Sequence, residues 1–361
     1  MLHHWHAIKN HTLKPSRCLI GFDGFTDEIV SVVDTRSSVD DFNPLTSITA
    51  FGERILEAAG KSCNIEFVLK QAKIGGNAPI MTNALLQGGH FITFSGTIGT
   101  KEHIEPLFES MASQCETVIP LGPSNHSDAL EFNDGKIIFG KLFSLKNVTY
   151  DNLLKAIPEK KWVEFFNVSD LFVSANWTML PFMTDIWKNI LLKIAPCLPK
   201  DRTRWMFVDL ADPAKRSDDD LREAMAVLKL LNHHFQVILG LNHAEAERLS
   251  KVFGLSEKDV KKMAQSLFET LGLHQIVIHN PYLALQVNVN GVSDVKSFHA
   301  EKPLLTTGAG DNFNAGFCNA LLYGLSLEEC LLSAVGTSGF YVRKGYSPTM
   351  EELADFLAKQ K

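Results

Sequence analysis

A loop of small residues followed by a carboxylate is the part of this chain best suited to chemistry. Residues 306–311 read Thr-Thr-Gly-Ala-Gly-Asp, and a helical pattern of apolar residues begins at Phe313. A small-residue loop that opens a helix leaves backbone N–H groups without partners, and the helix dipole adds positive potential there. The segment therefore predicts a binding site for an anion such as a phosphoryl group.

Asp311 stands at the edge of this predicted anion site, where a negative side chain would repel the anion rather than bind it. A carboxylate in that place is better suited to take a proton from a hydroxyl that attacks the anion. We interpret Asp311 as the catalytic base and the N–H groups of Ala309, Gly310 and Asp311 as the anion hole, with Gly308 giving the turn. The alternative is a glycine-rich turn whose Asp caps the helix.

The elements that must position this loop follow an alternating pattern of strands and helices. The predicted strands are 18–22, 91–95, 171–174, 205–209, 237–241 and 276–279. The predicted helices are 81–87, 185–194, 221–231, 244–252 and 257–271. Nearly continuous apolar strands separated by helices predict a three-layer α/β/α fold with a mostly parallel sheet. Ligands then bind beyond the carboxyl ends of the strands.

Composition excludes several classes of protein. The net charge of −6 and the pI of about 6.1 disfavour a nucleic-acid binder or a binder of anionic membranes. The six cysteines are far apart, which favours reduced thiols over disulfides or a zinc site. The start 1–6 lacks the apolar core of a signal peptide, and no run is long enough to span a bilayer. We therefore expect a cytoplasmic protein with a small-molecule substrate.

Four motifs in a fixed order resemble those of the PfkB/ribokinase family of small-molecule kinases. They are 21–25 (Gly-Phe-Asp-Gly-Phe), 75–79 (Gly-Gly-Asn-Ala-Pro), 242–245 (Asn-His-Ala-Glu) and the loop that ends at Asp311. The resemblance covers roughly residues 17 to 355. It implies one ribokinase-like kinase domain over residues 1–361, with Asp311 as the base.

Two stretches interrupt the alternation and indicate a lid. Residues 29–35 read as a strand, and residues 128–141 read as a hairpin around an Asp-Gly turn. The resemblance implies a small β lid formed by segments of about 27–50 and 127–145. The alternative is a hairpin at the sheet edge. A lid would exclude water and so protect ATP from hydrolysis.

The acceptor site is expected at the end of the first strand and at the diglycine motif. A carboxylate at a strand end suits the hydroxyls of a polyol, and glycines let the backbone approach a ligand. The predicted acceptor-binding residues are Asp23, Gly24, Asp27, Gly75, Gly76 and Asn77. Asp27 could equally be a solvated loop acid, and the diglycine could be a plain turn.

The nucleotide is expected at the loop around Gly308 and at the later helices. Asn242 and Glu245 have the spacing of a capping box, but the resemblance implies that Glu245 acts on Mg²⁺, directly or through water. The adenine pocket should come from the loop after 276–279 and from a helix over 331–341. The predicted nucleotide-binding residues are Asn242, Thr307, Gly308, Gly310, Gly336 and Ser338.

These residues together predict an ATP- and Mg²⁺-dependent kinase that phosphorylates a hydroxyl of a sugar, sugar acid or nucleoside. The alternatives are a kinase for another small alcohol, such as a vitamin precursor, and a catalytically silent sugar- or nucleotide-binding protein on the same fold. Leu305 stands where the family often has Asp, which leaves activation by a monovalent cation undecided. The lid strands of the family often pair between subunits, so we expect a homodimer through the lid.

Overall fold

The computed structural model describes residues 14–360, so the ends of the predicted domain, including residues 1–6, lie outside the described residues. It contains two sheets. The strands are β1 (Arg17–Phe22), β2 (Phe25–Arg36), β3 (Phe42–Pro44), β4 (Phe67–Gly75), β5 (Phe91–Gly96), β6 (Thr117–Pro120), β7 (Asn125–Phe132), β8 (Gly135–Lys141), β9 (Leu171–Ser174), β10 (Trp205–Asp209), β11 (Gln236–Asn242), β12 (Gln275–His279), β13 (Leu283–Asn288) and β14 (Gly291–Lys296).

The larger sheet has nine strands in the order β14-β13-β12-β11-β10-β9-β1-β5-β6. All of its pairs from β12 to β6 are parallel, whereas β12–β13 and β13–β14 are antiparallel. The prediction of a mostly parallel sheet is confirmed, and all six predicted strands belong to it. The antiparallel pair β13–β14 was not predicted, because Gln286 and Asn288 interrupt the apolar run of β13 and β14 contains only two apolar side chains.

Both faces of this sheet are buried, because successive residues of its strands enter different cores. Leu19 of β1 lies in one core, while its neighbours Cys18 and Ile20 lie in the other. Val208 and Phe207 of β10 are divided in the same way. Successive side chains of a strand point to opposite faces, so helices must cover the sheet on both sides. The middles of the parallel strands are therefore mostly apolar, and Ser174, Asp209 and Asn242 stand at carboxyl ends.

The helices have capped ends in most cases. They are α1 (Ile48–Glu57), α2 (Asn77–Gln87), α3 (Pro106–Gln114), α4 (Tyr150–Ala156), α5 (Glu159–Val168), α6 (Met183–Asn189), α7 (Asp218–Leu231), α8 (His243–Val252), α9 (Val260–Leu271), α10 (Ala309–Leu322), α11 (Leu327–Lys344) and α12 (Met350–Lys359). The predicted helix 185–194 is divided into α6 and a π turn over Ile190–Ile194. Ser217, Ser326 and Thr349 begin α7, α11 and α12 with capping boxes.

The second sheet is a smaller lid with β2 at its centre. Strand β2 pairs with β4 and β7 over its first half and with β3 near its end, and β8 completes the β7 hairpin. Val30, Val32 and Leu130 form a separate small core with Phe51 of α1. The structure thus places strands in both predicted lid segments. Strand β4 and helix α1 were not predicted, because the alternation of β4 is broken by Lys70 at a bulge.

No helix within residues 14–360 is long and apolar enough to cross a membrane.

Candidate active site

Asp23 closes the first turn of α2 although it lies far away in the sequence. It follows β1, and its two carboxylate oxygens accept hydrogen bonds from the backbone N–H groups of Asn77 (3.0 Å) and Ala78 (2.9 Å). Gly76 gives α2 its start with φ of 89°, and a Cβ there would lie 3.1 Å from the Asp23 carboxylate. The first and second motifs are therefore joined through one carboxylate.

Asn77 links this carboxylate to the predicted base. Its side-chain Nδ2 donates to Oδ1 of Asp311 at 2.8 Å, across 234 residues of sequence. The backbone N–H of the same residue binds Asp23, so the two acids are held by one residue. Asp311 and Asp23 thus lie at one place at the carboxyl end of β1, as a shared acceptor site requires.

Helix α10 begins at Gly308 without a side-chain cap. Gly308 has φ of 90°, in the left-handed region that favours glycine. The N–H of Ala309 is used in a turn to the Thr306 carbonyl at 3.2 Å, so this part of the predicted anion hole is already occupied. The N–H groups of Gly310 and Asp311 find no acceptor among residues 14–360. The alternative in which Asp311 caps the helix is excluded, because its carboxylate accepts from Asn77 instead.

The acids around this loop raise one another's pKa values. Burial is the main cause that raises the pKa of Asp311 well above its usual range, and the nearby Asp209, Asp23 and Asp27 add to it. Burial also raises the pKa of Asp23 to about 6, although hydrogen bonds from Asn176 and the start of α2 oppose the shift. A carboxyl group with a raised pKa is suited to accept a proton near neutral pH.

Two buried asparagines donate hydrogen bonds to carboxylates of this site, and neither was found from the sequence. Asn176 follows β9 with φ of 60°, and its Nδ2 donates to Asp23 at 2.7 Å. Asn314 of α10 donates to Asp209 at the end of β10, at 2.5 Å. The Oδ1 atoms of both side chains are buried without a hydrogen-bond partner within the described residues. An Asn directly after a buried strand, where left-handed backbone is tolerated, was the available signal for Asn176.

Asn242 and Glu245 form a full capping box at the start of α8. The Glu245 carboxylate accepts from the Asn242 backbone N–H (2.8 Å) and from its Nδ2 (2.7 Å), and Asn242 Oδ1 accepts from the Glu245 N–H (3.0 Å). Burial, followed by the charge of Asp209, raises the pKa of Glu245 to about 9. A cation beside this pair of acids would relieve the repulsion, and carboxylate oxygens are ligands that Mg²⁺ accepts.

A protein-built metal cage is absent from the part of the chain that the structure describes, because no three His, Cys, Asp or Glu side chains are placed there so that they could hold a metal ion together. Asp209 and Glu245 can therefore supply only part of a coordination shell. That donor set fits a cation which is carried mainly by phosphate oxygens, as Mg²⁺ commonly is.

A cavity of about 620 Å³ opens beside the start of α10. Asn242, Gly310 and Ser338 line it, and the Ser338 hydroxyl donates to the Ala309 carbonyl at 2.9 Å. His279 lies on its wall and stacks on Phe313 at a centroid distance of 4.3 Å. Burial lowers the pKa of His279 to about 4, so the ring is neutral. The cavity thus offers a flat, uncharged surface next to free backbone N–H groups.

Three predicted nucleotide-binding residues, Thr307, Gly308 and Gly336, lie outside the lining of this cavity. The prediction of Gly336 as a nucleotide-binding residue is corrected by its packing. A Cβ there would lie 2.8 Å from Leu353 and Leu357, so the glycine serves the packing of α11 on α12. Its neighbour Gly339 lines the cavity instead. The Thr307 carbonyl accepts from the Tyr341 hydroxyl at 2.9 Å, and Thr306 rather than Thr307 faces the cavity.

The remaining predicted acceptor residues have structural contacts of their own. Gly24 packs against the backbone of β5's end, since a Cβ would lie 2.1 Å from the Thr97 carbonyl oxygen. Gly75 lies against the Asp27 carboxylate, where a Cβ would come within 2.3 Å. Asp27 is buried and accepts from the Ser127 hydroxyl, so the alternative of a solvated loop acid is excluded. Burial raises the pKa of Asp27.

The chain is similar to known sugar kinases over most of its length. The family model described as prokaryotic ketohexokinase matches residues 7–360. A ketohexokinase of Haloferax volcanii is 26% identical over 343 residues, which cover 94% of this chain and 90% of the relative.

Solved structures share the fold at low identity. A ribokinase of Thermotoga maritima has a TM-score of 0.63 and 19% identity, and the match covers 96% of this chain and 100% of that one. A ribokinase of Arabidopsis thaliana, solved with ribose and ATP, has a TM-score of 0.66 and 15% identity over 95% of this chain and 98% of that one. These structural matches confirm the predicted α/β fold, and the family-model match over residues 7–360 confirms the family resemblance.

Proposed function

The chain belongs to the prokaryotic ketohexokinase family and is a PfkB-type small-molecule kinase, and we propose that it transfers the terminal phosphoryl group of ATP to a hydroxyl of a ketohexose. The observation that carries the proposal is the position of Asp311 beside the free N–H groups of Gly310 and its own backbone. A base next to backbone N–H groups that have no partner within residues 14–360 is the arrangement that phosphoryl transfer to an alcohol needs.

Asp311 is the proposed base. Its pKa is raised by burial and by neighbouring acids, so it can take the proton of an acceptor hydroxyl as the new O–P bond forms. Asn77 fixes Oδ1 of Asp311 and leaves Oδ2 without a partner within residues 14–360. We assign Oδ2 to the acceptor hydroxyl on this ground.

The first turn of α10 is the proposed anion hole. Its two free N–H groups and the positive end of the helix dipole would stabilise negative charge on the transferring phosphoryl group. Gly308 lets the chain enter the helix at φ of 90° and brings the N–H groups toward the cleft. The Ala309 N–H is not part of this proposal, because it is bonded to Thr306.

The cavity next to α10 is the proposed nucleotide site. The neutral ring of His279 and the small residues Gly339 and Ser338 provide a flat apolar wall of suitable size for a purine base. Mg²⁺ bound to the phosphates would neutralise their charge. Glu245 and Asp209 are the side chains that would hold it, directly or through water, and its charge would lower their pKa values.

The proposal extends to the assembly and the compartment. The edge strands β4 and β8 of the lid carry the exposed apolar residues Phe67, Leu69, Ile138 and Phe139, which supports a homodimer through the lid. Buried free thiols at Cys18, Cys318 and Cys330 support a reducing compartment such as the cytoplasm. Sedimentation of the purified protein at several concentrations tests the dimer.

An acceptor screen tests the function. Ketohexoses, aldoses, sugar acids, nucleosides and other small alcohols are incubated with ATP and Mg²⁺, and ADP release is measured for wild type and for Asp311→Asn. We expect turnover with a ketohexose and a loss of about a hundredfold or more in the variant. Equal turnover in the variant would remove Asp311 as the base. Ligand binding without turnover for any acceptor would favour a silent binding protein.

A further inference from the structure

Lys73 is a charged residue of the lid that the predicted site does not include. It lies on β4 directly opposite Asp27 of β2, so the two side chains share one face of the sheet. Ser127, which donates to Asp27, lies on the same face. The face that carries the predicted acceptor residue Asp27 therefore also carries a cation.

The Lys73 ammonium group is buried without a hydrogen-bond partner among residues 14–360. Burial lowers its pKa, and the charge of Asp27 opposes this shift. A buried ammonium group that makes no hydrogen bond is unfavourable, because its lost hydration is not replaced. A bound molecule that offers an oxygen atom to Lys73 would therefore gain a hydrogen bond that the protein itself does not make.

Open space lies next to this group. A cavity of about 770 Å³ separates Ile29, Gln71 and Lys73 of the lid from Ile80 and Tyr341. Tyr341 borders the predicted anion hole, since its hydroxyl donates to the carbonyl of Thr307. The lid face with Lys73 thus overlooks a space that reaches toward the base and is large enough for a sugar.

The charges of this face indicate which kind of acceptor fits. Glu131 and Lys136 are opposite each other on the hairpin and lie close enough to Lys73 to affect its pKa. With Asp27, Lys73 and Lys70, which lines the same cavity, they make two negative and three positive groups, so the face has little net charge when all five are ionised. Asp23 and Asp311 add further negative groups at the reacting end, which would repel a carboxylate or phosphate on the acceptor.

We propose that Lys73 is a specificity-determining residue that donates a hydrogen bond to one oxygen of a neutral polyhydroxy acceptor, while Asp27 accepts from a hydroxyl of the same molecule. This inference rests on the proposed function, since it assumes that the acceptor enters beneath the lid. The oxygen bound by Lys73 is different from the one that Asp311 deprotonates.

A comparison of Lys73→Met with wild type tests this contact. Steady-state kinetics are measured with the accepted ketohexose and with its set of singly deoxygenated analogues. We expect Lys73→Met to raise KM for the parent sugar by about tenfold or more, with kcat within about threefold. The analogue that lacks the contacted oxygen should have the same KM in both enzymes. Lys73→Arg should recover part of the affinity, because it keeps a cationic donor.

Lys61→Met is the matched control, because Lys61 is an exposed lysine in the segment before β4 and does not line this cavity. It should leave KM within about twofold for all sugars. If Lys73→Met raised KM by the same factor for the parent sugar and for every analogue, the proposal would be overturned, since Lys73 would then act only as a counter-ion of Asp27. A wild type that prefers a sugar acid would overturn the neutral class. Absence of ADP release in wild type would instead refute the proposed kinase, which the same assay distinguishes.

Discussion

Helices α2 and α10 begin in the same way but end up with different occupants. Each starts at a glycine with φ near 90°, Gly76 and Gly308, and neither has a capping side chain of its own. The first turn of α2 is filled by the Asp23 carboxylate, whereas the first turn of α10 keeps two free N–H groups. The start of α2 thus binds a carboxylate of the protein itself, whereas the start of α10 has N–H groups that could bind the anion of a ligand.

This difference shows how two similar helix starts can have different roles in one site. A helix start that already holds a carboxylate cannot bind a phosphoryl group, but it can position that carboxylate for hydroxyl groups. Asn77 joins the two starts, because it belongs to α2 and donates to Asp311 of α10. In the proposed function, acceptor binding and proton removal would therefore take place side by side.

Closing the open helix start should give the largest effect. Gly308→Ala would force a left-handed φ on Ala and place its Cβ 2.8 Å from the Tyr341 hydroxyl oxygen. We expect turnover to fall by about a hundredfold, because the N–H groups would shift from the phosphoryl group. The assay is ADP release under saturating substrates.

Gly324→Ala is the control for this change. Gly324 has φ of 71° but nothing within 4 Å of an added Cβ, so it reproduces the backbone strain alone. Stability should fall by about 1 kcal/mol while turnover stays within about twofold. Comparable activity losses in the two variants would mean that the Gly308 effect is global.

Helix α8 has a third kind of start, because its first turn is capped by its own Asn242 and Glu245. Glu245→Gln keeps the shape of the cap but removes the charge. If Glu245 also serves Mg²⁺, the Mg²⁺ concentration for half-maximal rate should rise by about tenfold. An unchanged Mg²⁺ dependence, with only a lower melting temperature, would leave Glu245 with the cap alone.

Breaking the link between α2 and α10 should have a smaller effect. The hydrogen bond from Asn77 lowers the pKa of Asp311, against burial and the neighbouring acids, which raise it. Asn77→Ala should therefore move the acid limb of the kcat profile to higher pH, by about half a unit. Activity near pH 6 should drop more than activity near pH 8. A shift toward lower pH would contradict the assignment of this limb to Asp311.

The smallest expected effect is on stability. Because the pKa of Asp311 is raised in the folded state, the unfolded chain loses this proton at a lower pH. Between the unfolded and the folded pKa, stability is lost as the pH rises. Asp311→Asn cannot ionise, so it should be more stable than wild type by about 1 kcal/mol or more at pH 8 and nearly equal at pH 4. Thermal unfolding at both pH values measures this.

The sequence allowed most of the large sheet to be predicted, because its strands are buried on both faces and therefore mostly apolar. Strands 171–174 and 205–209 were predicted with the observed bounds. The lid strand β4 was missed, since a half-exposed strand with a bulge has no clean alternation. The sequence indicated the motifs at individual helix starts, but it did not indicate which distant segments would be in contact.

The contacts between segments decide what each motif residue does. The bonds from Asn77 and Asn176 to acids far away in the sequence leave no local signal, because single asparagines occur in many loops. The same holds for Gly336, whose partner helix α12 follows it in the chain and decides its packing. Such pairings depend on the folded topology.

A single glycine connects strand β4 of the lid to the first turn of α2. Strand β4 ends at Gly75 and α2 begins at Asn77, so only Gly76 separates the lid from the residue that holds the base. A tilt of the lid that Gly76 does not absorb would displace the Asn77 peptide and with it the bond to Asp311. In the proposed function, closure of the lid over the sugar would thus also position the proton acceptor, which would keep the enzyme from cleaving ATP when no sugar is present.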